Sequence, residues 1–103
     1  MTCIDYEDFE LLSFFEREPE DLFDYAIEKD GFKLYLNLAV YQQEVDVSIE
    51  YQGKLVMAQT LRDVIQVRLN GEWLEIITGC RKSYFLKKEP ILAFVEGMAE
   101  SNA

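Results

Sequence analysis

The stretch that most narrows the fold is residues 64–78, VIQVRLNGEWLEIIT. Apolar and polar residues alternate on both sides of Asn70-Gly71, a dipeptide that accepts the positive φ angles of a type I′ turn. The pattern predicts a β-hairpin. A two-residue loop at Asn70-Gly71 sets Arg68 opposite Trp73, Val67 opposite Leu74 and Ile65 opposite Ile76. Side chains alternate between faces along a strand. One face then carries Ile65, Val67, Leu74 and Ile76 into a core, and the other carries Gln66, Arg68, Trp73 and Glu75. Arg68 is expected over the Trp73 ring, a contact worth about 0.5–1 kcal/mol when exposed. A slip of one residue would turn the aliphatic stripe to water, so burial and turn chemistry favour one register.

The same period of two runs upstream. In residues 32–40, Phe32, Leu34, Leu36, Leu38 and Val40 point one way, with Lys33, Tyr35 and Asn37 on the other side. In residues 44–51, Val45, Val47, Ile49 and Tyr51 alternate with Glu44, Asp46, Ser48 and Glu50. These are half-buried strands of an antiparallel sheet. Gln52-Gly53-Lys54 reads as a three-residue loop that pairs Ile49 with Met57 and Val45 with Leu61. Residues 55–61 form the next strand, Arg62-Asp63 separates it from the hairpin, and residues 83–88 form the last.

Helical signals are confined to the ends. Residues 5–16, DYEDFELLSFFE, read as a helix capped by Asp5 or Thr2, with Glu7 and Asp8 at the positive end of its dipole. Leu11, Leu12 and Phe15 form its sheet-facing side. Pro19 should stop it near Arg17. Residues 22–27 read as either a short second helix or an irregular apolar segment, and Asp30-Gly31 marks the entry to the sheet. Beyond Pro90, residues 91–95 read as a short C-terminal helix weakened by Gly97, with a frayed tail at 100–103. The expected fold is a single α+β domain, residues 1–103. In it the N-terminal helix packs on an antiparallel meander of about six strands. A small barrel or sandwich is the alternative. The open sheet is preferred because the helix supplies an apolar face and each strand shows one strong core stripe.

Charge and chemistry bound the function. The chain has a formal net charge of −10, and residues 1–30 hold eleven Asp and Glu against Arg17 and Lys29. Such a field disfavours direct binding of nucleic acid or of an anionic membrane, because phosphate neutralisation needs Lys and Arg. It favours a basic partner. There is no histidine. That removes Ser-His-Asp and Cys-His triads and the commonest metal ligand and general base. Cys3 and Cys80 do not form a CxxC pair, the acidic clusters lack the spacing of an EF-hand, and no glycine-rich phosphate loop is present. No cofactor or metal is expected, and no enzyme activity. The chain begins without a charged and apolar leader pattern, and two reduced thiols suit a cytoplasmic protein.

Phe14–Glu20 (FFEREPE), Asp30-Gly31 opening a strand, and Trp73–Ile77 (WLEII) together resemble small, acidic bacterial immunity proteins of polymorphic toxin systems. The resemblance implies a compact cytoplasmic protein that protects its own cell by binding a cognate toxin. It carries over no site residue. The leading expectation is therefore a non-enzymatic binding protein whose acidic residues Glu16, Glu18, Glu20, Asp21 and Asp24 face a basic toxin. Two other classes stand beside it. One is a phage or mobile-element inhibitor that presents acids in place of nucleic-acid phosphates. The other is a homo-oligomeric module, a homodimer in the simplest case, that pairs an edge strand with its symmetry mate.

Overall fold

The computed structural model describes residues 3–16, 23–80, 82–88 and 92–98. The helix α1 (Asp8–Phe15) is followed by eight strands: β1 (Asp24–Lys29), β2 (Phe32–Ala39), β3 (Glu44–Tyr51), β4 (Lys54–Leu61), β5 (Val64–Asn70), β6 (Trp73–Thr78), β7 (Lys82–Lys87) and β8 (Ala93–Met98). They form two four-stranded antiparallel meanders, β1-β2-β3-β4 and β5-β6-β7-β8, and not one six-stranded sheet. The geometry explains why. Eight helical residues span about 12 Å, while six strands side by side span about 24 Å. The helix covers only part of the apolar stripe that such a sheet exposes. Turning the chain at Asp63 (φ 60) breaks the meander after β4 and lets both stripes share one core.

Both extra strands correct the sequence reading. Residues 24–29 are neither helix nor irregular segment. Asp30 (φ 54) and Gly31 (φ 87) both take positive φ and close a two-residue hairpin in which Lys29 pairs with Phe32. Asp-Gly between apolar runs is a hairpin signal in its own right, and Tyr25 and Ile27 suit a strand. At the other end, residues 93–98 form β8 in place of a C-terminal helix. Phe94 pairs with Leu86, and its ring stacks on Tyr84 at 5.4 Å with an interplanar angle of 5°. Gly97 serves this strand by close approach, since a Cβ there would lie 3.3 Å from the Phe85 ring.

The central hairpin forms, with its register moved. The loop is Gly71-Glu72, and Asn70 pairs with Trp73, Leu69 with Leu74, Arg68 with Glu75 and Val67 with Ile76. Gly71 alone of the loop residues has positive φ, 67°, as in a type II′ turn. A bulge between Val64 and Gln66 then buries Val64 and turns Ile65 outward, 41% exposed. Arg68 bonds to Glu75 (Nε–Oε1 3.2 Å), and the cation over Trp73 is Lys87, 4.1 Å from the ring centroid. At the β3–β4 turn the pairs Ile49–Met57 and Val45–Leu61 stand as expected. The turn itself has two residues, Gln52 and Gly53, both at positive φ, and a bulge after Ile49 restores the register.

One core cluster joins the two sheets and the helix. It takes Leu34, Leu36, Val45 and Val47 from the first sheet, Val67, Leu74, Ile76 and Leu86 from the second, and Leu11, Phe14 and Phe15 from α1. Fully burying one such side chain contributes about 1.5–3 kcal/mol. The helix is shorter than expected. Its N-cap is Glu7, which makes no side-chain capping bond. Asp5 is not a cap: its backbone bridges β5, with Asp5 N–H donating to the Ile65 carbonyl at 3.0 Å and Val67 N–H donating to the Asp5 carbonyl at 2.9 Å. Ile4 N–H donates to the Val40 carbonyl at 3.1 Å, so this short N-terminal segment stitches the first sheet to the second. The expected cap Thr2, the break at Pro19, Pro90 and the tail at 100–103 lie outside the described residues.

Candidate functional site

Two surfaces collect the side chains that chemistry would single out. The first is the face of sheet β1–β4 turned away from the core. Val45, Val47 and Ile49 point inward, so Glu44, Asp46, Ser48 and Glu50 point outward. Antiparallel pairing carries that face across the sheet in rows. One row runs Asp24, Asn37, Asp46, Thr60, and another runs Glu28, Lys33, Glu50, Leu55. Between them lie Ala26, Tyr35, Ser48 and Ala58. Five carboxylates, Asp24, Glu28, Glu44, Asp46 and Glu50, thus share one sheet face.

Polar contacts run within and between these rows. Asn37 Nδ2 donates to Asp24 Oδ1, and Thr60 Oγ1 donates to Asp46 Oδ1 at 2.6 Å. Lys33 Nζ sits 4.8 Å from the Tyr35 ring centroid, and Arg62 Nε lies 3.5 Å from Glu44 Oε2 at the margin. Such contacts fix orientation more than they neutralise the face, because exposed ion pairs are weak. The opposite outer face, on sheet β5–β8, differs in character. It carries Trp73 edge-on to Phe85 at 5.6 Å, with Lys87 over the indole and Arg68 beside Glu75.

The second surface is an open cleft of about 890 Å³ between α1, β1 and the β5–β6 hairpin. Phe14, Ile27 and Trp73 supply apolar lining, and Glu16, Lys29 and Lys88 supply charge. Lys88 is the organising group. Its Nζ donates to the Phe14 carbonyl at 2.9 Å and to Glu16 Oε2 at 2.6 Å, and its own carbonyl accepts from Lys29 Nζ at 2.7 Å. The bond from Lys88 and its positive charge hold the Glu16 carboxyl below the usual glutamate range. Lys88 therefore neutralises the carbonyl end of α1, where a helix favours a cation.

The five expected partner-binding residues fare differently. Glu16 ends α1 in the left-handed region (φ 61), and its carboxylate is engaged by Lys88. Asp24 opens β1 on the acidic sheet face and is bonded to Asn37. Glu18, Glu20 and Asp21 lie outside the described residues. The sequence reading missed that Asp24 shares its face with Glu28, Glu44, Asp46 and Glu50. The alternation of Glu44, Asp46 and Glu50 was visible; recognising residues 24–29 as a strand would have aligned the rest. Cys3 and Cys80 are free and exposed. Among the described residues no group of three or more His, Cys, Asp or Glu side chains is placed to hold a metal ion. No helix among them is long and apolar enough to cross a membrane.

No protein-family model matches the chain, and no curated protein matches it in sequence. Its fold does match a solved structure, a chain of the contact-dependent growth inhibition toxin–immunity protein complex from Klebsiella pneumoniae 342. The TM-score is 0.79 at 14% sequence identity, over 94% of this chain and 98% of that one. Among the described residues, the architecture of one helix and two antiparallel four-stranded sheets thus resembles that of a chain from a toxin–immunity protein complex.

Proposed function

We propose that this chain is an immunity protein: a non-enzymatic, cytoplasmic bacterial protein that neutralises a toxin by binding it. The observation that carries the reading is the end-to-end likeness of the fold to a chain of a toxin–immunity complex. The charge distribution supports it independently. In this reading the acidic face of sheet β1–β4 meets a basic toxin surface, with Asp24 as the link to the acidic segment that precedes it. Complementary charge speeds encounter and fixes orientation more than it raises affinity. Binding alone suffices for such a role, since covering a toxin's cleft needs no chemistry from the inhibitor.

The test is affinity capture with the full chain at low and at high salt, followed by expression of each captured protein alone. The expected result is one basic protein, released by salt, that arrests growth by itself and is tolerated when this chain is co-expressed. Capture of only the chain itself, or of a protein that this chain fails to neutralise, overturns the reading. Reversing Asp24, Asp46 and Glu50 to Lys should slow association with that toxin by about tenfold or more at low salt. Reversing Glu18, Glu20 and Asp21 to Lys measures the contribution of the preceding segment.

A further inference from the structure

A meander sheet has two edges, and an edge strand offers unpaired N–H and C=O groups to any extended chain. Among the described strands three edges are occupied or charged. β1 lies against α1, β5 is bridged by Asp5, and β8 carries Glu96, which pairs with Lys82 at 3.3 Å. The fourth, β4, is different. It is eight residues long and pairs only with β3; past Lys54 at its start and the bulge at Val56, its run Met57–Leu61 contains no charged residue and no proline. Leu55 and Val56 are 63% and 60% exposed.

We infer that β4 is a docking edge for an extended, Lys- or Arg-bearing strand of a protein partner. This deepens the immunity reading and rests on it for the partner being a toxin. Strand addition draws affinity from main-chain hydrogen bonds and specificity from alternate side chains. Here the alternate positions have defined character. On the outer face an added strand would lie beside Leu55, Ala58 and Thr60. Their row partners on β3 are Glu50, Ser48 and Asp46. Ala58 is the smallest side chain in that line. A long cationic side chain placed beside it can extend over its methyl group toward Asp46 and Glu50, about 9.6 Å from the added strand. On the inner face the added strand would lie beside half-buried Met57, which calls for an apolar residue. The implied occupant alternates cationic and apolar residues. A second copy of this chain fits less well, because its β4 lacks a cation between Leu55 and Leu61 and its β3 brings the same carboxylates.

The probe is a synthetic peptide of alternating Lys and Val, added to the full chain and followed by backbone NMR and amide hydrogen exchange. The expected result is slowed exchange confined to β4. Replacing Lys by Glu in the peptide should weaken binding by about tenfold at low salt. N-methylating the peptide backbone should remove binding, because strand addition needs its N–H groups. Ala58→Lys should weaken the Lys–Val peptide by about tenfold through like charge, with an unchanged unfolding midpoint, and Ala58→Ser should leave binding intact. Equal binding of the N-methylated peptide overturns the proposal, as does protection at β1, β5 or β8. A dimer in light scattering that Ala58→Lys dissociates also overturns it, by making a second copy the occupant. None of these readouts involves a toxin. Loss of the immunity reading with peptide binding at β4 intact would leave the docking edge standing.

Discussion

Lys88→Met tests whether the junction of α1 with the second sheet is built as described. The substitution keeps the length and apolar stem of the side chain. It deletes the donor to the Phe14 carbonyl at 2.9 Å and the pair with Glu16 at 2.6 Å. The first bond is charge-assisted and partly buried, which is worth about 1.5–3 kcal/mol. The second faces solvent on the Glu16 side, 63% exposed, so screening limits it to about 1 kcal/mol or less. Loss of the cation 5.1 Å from the Phe14 ring adds about 0.5 kcal/mol. A destabilisation of about 2–4 kcal/mol is expected, read as a lower urea midpoint at unchanged slope. Glu16→Gln should cost under about 1 kcal/mol, and its effect should depend on pH. The Glu16 carboxyl titrates lower in the folded chain than unfolded. Its contribution is therefore present above the ordinary glutamate pKa of about 4.3 and is lost as pH falls through the folded value. Wild type and Glu16→Gln should converge in acid, while Lys88→Met remains destabilised there through the Phe14 carbonyl. A Lys88→Met loss below about 0.5 kcal/mol at neutral pH would refute the junction, as an ordinary surface change stays within that range.

Four further substitutions probe the fold. Ile76→Ala should cost about 2–5 kcal/mol in urea unfolding; Ile65→Ala, at a residue turned outward by the bulge, should cost under about 1 kcal/mol. Similar losses for the two would restore the uninterrupted alternation. Gly31→Ala should destabilise by about 1 kcal/mol or more in thermal unfolding, since φ is 87° and the new methyl would lie 3.1 Å from the Tyr51 ring. Gly97→Ala should cost about 1 kcal/mol in the native background and much less in Phe85→Ala, where the ring that crowds it is gone. A double-mutant cycle reads the difference.

What could be read from the sequence was local. Residues 32–39 and 44–51 announce themselves because each has one buried face, and alternation of that kind leaves one workable register. The β3–β4 pairs Ile49–Met57 and Val45–Leu61 followed from it. Two kinds of information were missing. A bulge leaves no mark in composition, so the outward turn of Ile65 could not be read from the alternation, and Asn70-Gly71 fits a loop shifted by one residue as well as the one expected. Strands beside prolines also read poorly. Residues 24–29 and 93–98 follow Pro19 and Pro90, and in each a short apolar run suits helix and strand alike. Without them the meander had six strands and two uncovered flanks, and a single sheet under one helix looked sufficient. With them each meander closes at four strands, and the apolar faces must find each other.

The same missing strand hid the candidate site. In the sequence the acids of residues 1–30 look like one block, set apart from Glu44, Asp46 and Glu50. Once residues 24–29 pair with β2, Asp24 and Glu28 leave that block and join the β3 carboxylates, while Glu16 is drawn to Lys88 on the other sheet. Folding thus assigns Glu16 to an internal tie and Asp24 and Glu28 to an outward face. That face adjoins β4, an edge strand on which Leu55 and Val56 are exposed. Carboxylates can attract a cationic chain and set its orientation, and an open ladder edge can hold it. Either feature alone is common on protein surfaces. Their adjacency on one side of the sheet is the ground on which the proposed docking surface rests, and it gives that proposal a direction that the net charge of −10 alone does not.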